Sequence, residues 1–255
     1  MAGNTATPGA SVLARGLAVL FAFDEAHRAL SLTDLARRAG LPLSTTHRLA
    51  GELVSGGALV RRPSGEFVIA RRVWQIGLLA GVETGLRDVA APFLGDIHAA
   101  TRATVHLAVR QGIEALYLER LSGRASVPVV SSRGSRLPLH ATAVGKVLLA
   151  HASEDVIDEA LRHLVRVTPY TVTQPAMLRE RLARVRRDGF ATTSEEMTLG
   201  ACSVAVPIRP ASPGAGPVVA ALGVVVPTLK RDQTRLVAAL QVAAQGIGRS
   251  LHTSS

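Results

Sequence analysis

Short helices alternate with turns in the first third of the chain. Between residues 31 and 40 the apolar positions recur at intervals of three and four, which predicts an amphipathic helix. Its apolar face consists of Leu32, Leu35, Ala36 and Ala39. Ser31 suits the amino-terminal cap, Gly40 suits a left-handed helix end, and Pro42 favours a new start. We therefore predict a helix, a tight turn and a second helix over Ser44–Val54.

A short basic hairpin is predicted directly after the second helix. Gly56 and Gly57 end that helix, and two extended runs, 58–62 and 66–69, flank a turn at residues 63–65. Helix, turn, helix and hairpin in this order are typical of a winged helix-turn-helix domain, whose second helix enters the major groove of DNA. A helical hairpin in some other globular domain is the alternative, but a basic hairpin has no obvious role there.

Residues near the amino end of the second helix and on the hairpin are therefore candidates for DNA contact. Small hydroxyls can approach bases or phosphates, and Arg48 can bind a guanine through two hydrogen bonds or pair with a phosphate. The residues that we predict to contact double-stranded DNA are Thr33, Ser44, Thr45, Thr46, Arg48, Arg61 and Arg62.

The remaining pattern predicts a second domain of strands and helices. Ser11 caps a first helix, and a helix over 71–86 carries Trp74 on an apolar face that either contacts a second copy of the chain or packs under the hairpin. Strands are predicted at 104–109, 115–121, 127–131, 204–208 and 218–226, and helices at 89–100, 141–150, 155–164, 176–187 and 233–251. This layout predicts an α+β fold. Its parts are a disordered tail over 1–10, the winged domain over 11–72, a linker helix and dimer contact over 73–88, and a second domain over 89–255.

Composition adds a bias toward polyanions. The 29 lysine and arginine residues exceed the 19 acidic residues, for a formal net charge of +10, which favours nucleic acid through counterion release. A single cysteine, Cys202, excludes an internal disulfide and disfavours a structural zinc site. No apolar run approaches the length needed to cross a bilayer, and the amino terminus lacks the basic start of a signal peptide. We expect a cytoplasmic, nucleoid-associated protein.

Common catalytic and metal-binding patterns are not found in the sequence. Gly145–Lys146 is similar to the end of a phosphate-binding loop, but Val147 stands where that loop needs Ser or Thr. Cys202 has no base at a suitable spacing. The neighbours Glu195–Glu196 project in different directions, and His140 has no second metal ligand at helical spacing. We expect no catalytic residue, no metal and no cofactor, so the protein is not predicted to be an enzyme.

Several ordered motifs resemble the IclR family of bacterial transcription regulators. The DNA-binding half of that family is matched by Arg15–Leu20, Leu32–Ala36 and Gly40–Leu49, and its carboxy-terminal half by Gly134–Lys146, Asp188–Ala191, Glu195–Glu196 and Val204–Ile208. The resemblance implies a homodimer, often a dimer of dimers, on a palindromic or near-palindromic operator. It also implies a helical linker to a GAF-like domain that binds a small organic effector, with repression as the commoner mode. The alternative is a small-molecule binding protein whose winged module contacts another protein.

The same resemblance implies an effector site between the sheet and the helix of the signature motif. The residues that it assigns to this site are Val129, Leu137, Ala143, Val144, Gly145, Thr193, Ser203, Gly223 and Val225. In members that bind small carboxylates, the last four positions hold an acid, a cysteine and two serines. This chain departs at all four, and a buried carboxylate without donors is costly. We therefore expect a larger, more apolar effector than a glyoxylate-like acid, or a cavity that has lost its ligand.

Overall fold

A computed structural model of the chain describes residues 11–24, 27–78, 84–122, 127, 130–211 and 216–252. Internal contacts divide the chain into two units, Met1–Thr84 and Gly85–Ser255. The predicted tail over 1–10, the predicted contact residue Val129 and residues 79–83 of the predicted linker lie outside the described residues. Within the described ranges, no helix has both the length and the apolar character needed to cross a bilayer.

The first unit contains the predicted helices and hairpin. Its elements are α1 (Val12–Leu20), β1 (Ala29–Leu30), α2 (Leu32–Ala39), α3 (Leu43–Ser55), β2 (Leu59–Arg61), β3 (Phe67–Ile69) and α4 (Arg71–Leu78). The described strands form a three-stranded antiparallel sheet in the order β1-β3-β2. The two-residue strand β1 was not predicted, because a strand so short has no measurable periodicity; its Leu30 pairs with Phe67.

Local capping explains where the helices of this unit begin and end. The Ser31 hydroxyl accepts a hydrogen bond from the Asp34 amide at 3.2 Å, and Gly40 ends α2 with a φ of 64°. Pro42 precedes α3 and carries no side-chain cap. The core joins both helices to the hairpin through buried side chains, among them Val19, Leu30, Leu35, Leu49, Leu59 and Phe67. The predicted winged helix-turn-helix is confirmed.

The second unit is a sheet with helices on both faces. Its elements are α5 (Thr84–Thr101), β4 (Thr104–Gln111), β5 (Glu114–Leu121), β6 (Arg136–Pro138), α6 (Ala143–Ala150), α7 (Glu154–Arg162), α8 (Pro175–Asp188), β7 (Ala191–Ser194), β8 (Cys202–Ile208), β9 (Ala220–Val226) and α9 (Gln233–His252). A 3-10 turn, Leu139–Ala141, leads into α6. The described strands form a six-stranded antiparallel sheet in the order β6-β5-β4-β9-β8-β7.

Alternation along the strands assigns residues to two cores. On β4, Val105 and Leu107 pack with residues of α5 and α9, whereas Ala108 packs with residues of α6, α7 and α8. Both faces of the sheet are therefore covered by helices, as expected for successive side chains that point to opposite faces. The predicted α+β architecture is confirmed. The strand predicted at 127–131 is not found at its described residues, 127, 130 and 131, and an edge strand that was not predicted lies at Arg136–Pro138.

Candidate functional site

The amino end of α3 presents polar side chains to solvent. Ser44, His47 and Arg48 are exposed and Thr45 is half-buried. Arg48 forms an ion pair with Glu52 one turn later on the same helix, and both side chains are more than half exposed. Such a pair contributes only about 0.3–0.5 kcal/mol. Arg48 can therefore leave Glu52 for a base edge or a phosphate at small cost.

Thr46 does not belong to this exposed set. Its exposed fraction is 0%, and its hydroxyl donates a hydrogen bond to the Pro42 carbonyl at 3.0 Å. One turn later, Leu49 and Ala50 are buried on the same side of the helix. The prediction that Thr46 contacts DNA is corrected here: its position in the helical repeat turns it into the core, so its hydroxyl serves the helix and not a ligand.

Basic side chains of the hairpin and a hydroxyl of α2 are the other predicted DNA-contact groups that are exposed in this unit. Arg61 and Arg62 are exposed at the tip side of the hairpin, and Thr33 is exposed on α2. The Arg61 guanidinium lies 5.7 Å from the centre of the Phe67 ring. This cation–π contact holds the Arg61 side chain against the sheet. Gly65 allows the turn with a φ of 87°. The hairpin thus presents two cationic groups that can contact phosphates. Among the described ion pairs, none involves Arg62.

A cavity lies between the sheet of the second unit and the start of α6. The empty space between its walls is about 480 Å³, a volume that includes open solvent at its mouth. It is lined by His106, Tyr117, Val130, Ser131, Leu137, Thr142, Ala143, Val144, Thr193, Met197, Thr198, Ala201, Ser203, Val204, Gly223, Val224 and Val225. Seven of the nine predicted effector residues are in this set, and the other two are Val129, which is not described, and Gly145.

Gly145 lies behind the cavity wall. A Cβ at this position would stand 2.4 Å from the Leu139 carbonyl oxygen and 2.5 Å from the Thr142 hydroxyl, which itself accepts a hydrogen bond from the Gly145 amide. Gly145 therefore lets α6 pack against the preceding 3-10 turn. Gly223 has a related function on the sheet, because a Cβ there would lie 2.9 Å from Val144 Cγ1. Both glycines set how closely α6 approaches its neighbours.

The polar end of the cavity consists of residues that were not predicted. His106 Nε2 lies 2.8 Å from the Ser131 hydroxyl, and the His106 ring meets the Tyr117 ring edge to face at 4.9 Å. Burial, with a smaller effect from Arg120, lowers the pKa of His106 to about 3, so the imidazole is neutral. Burial also raises the pKa of Tyr117, whose hydroxyl is hydrogen-bonded to the Thr142 side chain. These groups are uncharged donors and acceptors.

The two hydroxyls on β7 and β8 are paired with each other. Thr193 and Ser203 face each other in the register of the two strands, and their hydroxyls share a short hydrogen bond. With His106, Tyr117 and Ser131 they make the cavity less apolar than the four substituted positions suggested. The comparison of those four positions therefore missed the polar groups of His106, Tyr117 and Ser131, which lie elsewhere in the sequence and line the cavity beside its apolar residues.

Other residues considered for chemistry have structural surroundings. His140 is buried with its Nε2 2.9 Å from the Val165 carbonyl, and the Cys202 sulfur lies 3.5 Å from the Ser194 hydroxyl. Glu195 turns back to accept a hydrogen bond from the Gly200 amide at 3.1 Å, whereas Glu196 points into the interior. Among the described residues, no group of three or more His, Cys, Asp or Glu side chains could hold a metal ion.

Comparisons with known proteins give one consistent result. Residues 12–63 match the IclR helix-turn-helix domain, and residues 80–249 match the model described as bacterial transcriptional regulator IclR C-terminal. The HTH-type transcriptional regulator XynR of Escherichia coli is 32% identical over 76% of this chain and 78% of its own length. The HTH-type transcriptional repressor AllR of Salmonella typhi is 31% identical over 91% of this chain and 86% of its own. An IclR homolog of Microbacterium hydrocarbonoxydans, crystallised with 4-hydroxybenzoate, is 38% identical with a TM-score of 0.87, covering 95% of this chain and all of that one.

Proposed function

The chain belongs to the IclR family of bacterial transcription regulators, and from that membership we propose which residues read DNA, which hold the effector and what kind of molecule the effector is. It is a DNA-binding regulator whose binding is modulated by a small-molecule effector. We propose that it acts as a repressor, as the name of its AllR relative states for that protein. We propose that it binds DNA and effector without catalysing a reaction, and that it acts on the chromosome in the cytoplasm.

We propose that the exposed polar residues of the first unit form the DNA contact. The set is Thr33, Ser44, Thr45, Arg48, Arg61 and Arg62, and the observation that supports it is their exposure at the start of α3, on α2 and on the hairpin. Arg48 reads a base edge, whereas Arg62 neutralises a phosphate. The operator is palindromic or nearly so, because two copies of the chain bind it as a homodimer.

Two substitutions test the proposed difference between Arg48, which reads a base, and Arg62, which contacts a phosphate. Genomic fragments bound by the purified protein supply the operator, and gel shifts with single-base variants measure specificity. Arg48→Ala should weaken operator binding and relax the preference at one base pair, while Arg62→Ala should weaken all sequences alike and lower the slope of binding against salt by about one. Arg187→Ala, an exposed arginine on α8, is the control. Salt-independent association or no DNA recovery would instead favour a winged module that contacts another protein.

We propose that apolar side chains left exposed on α1 and α4 make the dimer contact. Leu13 and Leu17 on α1, Phe21 at its carboxy-terminal cap, and Trp74 and Ile76 on α4 are all exposed within the first unit. Large exposed apolar groups on short helices mark interaction surfaces. Light scattering after size-exclusion chromatography should give a dimer or a dimer of dimers for the native chain and a smaller species for Phe21→Glu. An unchanged mass in that variant would contradict this contact.

We propose that the effector is a small aromatic acid. The cavity offers apolar walls at Leu137 and Met197 and neutral polar groups at His106 and Ser131, which suits a flat ring with polar groups at its ends. Ala143, at the start of α6, lines the same space, and the start of a helix favours an anion through its free backbone amides and the helix dipole. The structural relative crystallised with 4-hydroxybenzoate supports the same class of ligand.

Calorimetry with two acids tests the ligand class. 4-Hydroxybenzoate should bind the full chain, and glyoxylate should bind far more weakly because it leaves the apolar walls unfilled. The bound acid should also change operator affinity, and by reciprocity operator should change the affinity for the acid. Leu137→Asp, which places a charge in the wall, is the matched negative control. Binding of glyoxylate but not of 4-hydroxybenzoate would overturn the proposed class, and binding without any effect on DNA would overturn the coupling.

A further inference from the structure

A lysine ammonium is fully buried on the helix that borders the effector cavity. Lys146 of α6 has a side chain only 1% exposed, and its Nζ donates a hydrogen bond to Glu196 Oε1 at 2.6 Å. The Glu196 side chain is 3% exposed. Arg181 of α8 reaches the same oxygen at 2.7 Å from a partly exposed position. We call Lys146, Glu196 and Arg181 the buried ion cluster.

The buried ion cluster is poorly suited to stabilise the fold. Within the described residues the second carboxylate oxygen, Glu196 Oε2, is buried and has no hydrogen-bond partner. Burial lowers the pKa of Lys146 to about 8 even though Glu196 acts in the opposite direction. Replacing a buried ion pair by apolar residues of similar volume is often neutral or stabilising. An incompletely satisfied pair is therefore better explained by a need to fix one conformation than by a need for stability.

The cluster joins two walls of the effector cavity. Lys146 lies three residues after Ala143 and two after Val144, which line the cavity from α6. Glu196 immediately precedes Met197 and Thr198, which line it from the segment after β7. The lining residues and the cluster thus belong to the same two pieces of chain.

Two threonines anchor the start of this segment through its backbone only. Thr168 Oγ1 donates a hydrogen bond to the Glu195 carbonyl and Thr171 Oγ1 to the Glu196 carbonyl, each at 2.7 Å. The segment from Glu195 to Ala201 closes on itself through the Glu195 amide and the Ala201 carbonyl, at 2.8 Å. Among these contacts, only the ion cluster connects the segment by a side chain to α6.

We propose that Lys146 and Glu196 are positioning residues for effector binding: their ion pair holds segment 195–201 against α6, and this keeps the cavity wall at Met197 in its ligand-binding position. The inference rests on the proposed function in one respect, that the cavity is where the effector binds. Arg181 supports the pair from the solvent side by donating a second hydrogen bond to Glu196 Oε1. Breaking the pair releases the wall and lowers effector affinity by reducing the fraction of molecules with a formed cavity.

The test does not need the effector, because a methionine reports on the wall directly. The chain has three methionines, Met1, Met177 and Met197, and only the last is in the segment. Full-length protein labelled with ¹³C at the methionine methyls gives a Met197 signal that Met197→Leu identifies. In Glu196→Gln and in Lys146→Leu this signal should shift and narrow as the wall becomes mobile, while the exposed Met177 signal stays in place.

Matched controls separate positioning from general loss of packing. Val147→Ala removes buried volume from the same helix, and at a similar loss of melting temperature it should leave the Met197 signal unchanged. The double variant Lys146→Leu with Glu196→Leu replaces the pair by apolar side chains. It should melt at or above the temperature of either single variant and still show a mobile Met197. An unmoved Met197 signal in both single variants, or a native signal in the apolar double variant, overturns the proposal.

Titration gives a readout that a purely structural role would not produce. Lys146 is faced by Glu196, by Arg181 from α8 and by His140 from the 3-10 turn. Raising the pH past about 8 removes its proton, so the native Met197 signal should change with a midpoint near 8, and Lys146→Leu should lack this transition. If 4-hydroxybenzoate binds the native chain, Glu196→Gln should weaken it about tenfold. If it does not bind, the proposed ligand class fails while the Met197 signals still decide the role of the pair.

Discussion

Acid should weaken the second unit through one buried imidazole, His106. In the folded chain its pKa is lowered to about 3, against an ordinary value of 6.5. Between those two values the unfolded chain binds more protons than the folded chain, so the free energy of unfolding falls as the pH falls. The contribution is complete above about pH 6.5 and is progressively lost toward pH 3.

The size of this loss in the free energy of unfolding follows from the difference between the experimental pH and the ordinary pKa of histidine. At pH 5 the unfolded imidazole is protonated and the folded one is not, which is worth about 2 kcal/mol at about 1.4 kcal/mol for each pH unit. His140 and His151 also have lowered pKa values and act in the same direction. Their contribution is present in native and variant chains alike, so it cancels when the two are compared.

Scanning calorimetry of the native chain and of His106→Gln at pH 7 and pH 5 measures the effect. Glutamine retains a hydrogen-bonding group toward Ser131 but does not titrate, so the variant is expected to be less stable at pH 7 and to lose about 2 kcal/mol less on acidification. The transition of the second unit is the one to follow, since two units can unfold separately. Equal losses in the two proteins would refute the idea that His106 is buried in its neutral form.

Three further substitutions test the packing described above. Gly223→Ala should push Val144 and α6 away from the sheet and reduce the binding of 4-hydroxybenzoate, measured by calorimetry, with operator affinity of the free protein retained. Gly145→Ala should lower the melting temperature more than Gly223→Ala does, because its Cβ would meet the backbone carbonyl of Leu139 at 2.4 Å instead of a movable methyl group. Thr46→Val should cost about 1 kcal/mol in chemical denaturation and leave operator affinity unchanged in gel shifts; a loss of DNA binding at full folding would return Thr46 to the DNA contact.

The first unit could be predicted closely because its signals are local. Ser31 and Gly40 act on the residues next to them, and the cap geometry that they produce needs no information from the rest of the chain. Thr46 shows the limit of such reasoning. A hydroxyl at the start of a helix is compatible with either DNA or the core, and the spacing to Leu49 and Ala50 was the signal that distinguishes them.

The polar end of the cavity could not be predicted in the same way. His106 and Tyr117 meet only because β4 and β5 pair in one register, with an irregularity between Leu107 and Ala108. Alternation gave a usable signal, since His106 shares its face with the small Ala108 while its neighbours are apolar. The pair of Lys146 and Glu196 gave none, because fifty positions separate them in sequence. Contacts between residues so far apart in sequence depend on how the helices pack against the sheet.

The strand order has a consequence for synthesis on the ribosome. The middle of the sheet is the pair β4 and β9, in which Thr104 meets Val225 near the other end of the chain. Contacts so distant in sequence form late, and domains made early in translation fold first. The DNA-binding unit is therefore expected to be complete while β4 still awaits its partner strand. A nascent chain released before β9 would contain the folded DNA-binding unit without a complete effector-binding unit. A premature stop codon between β4 and β9 is therefore expected to give DNA binding that the effector does not regulate.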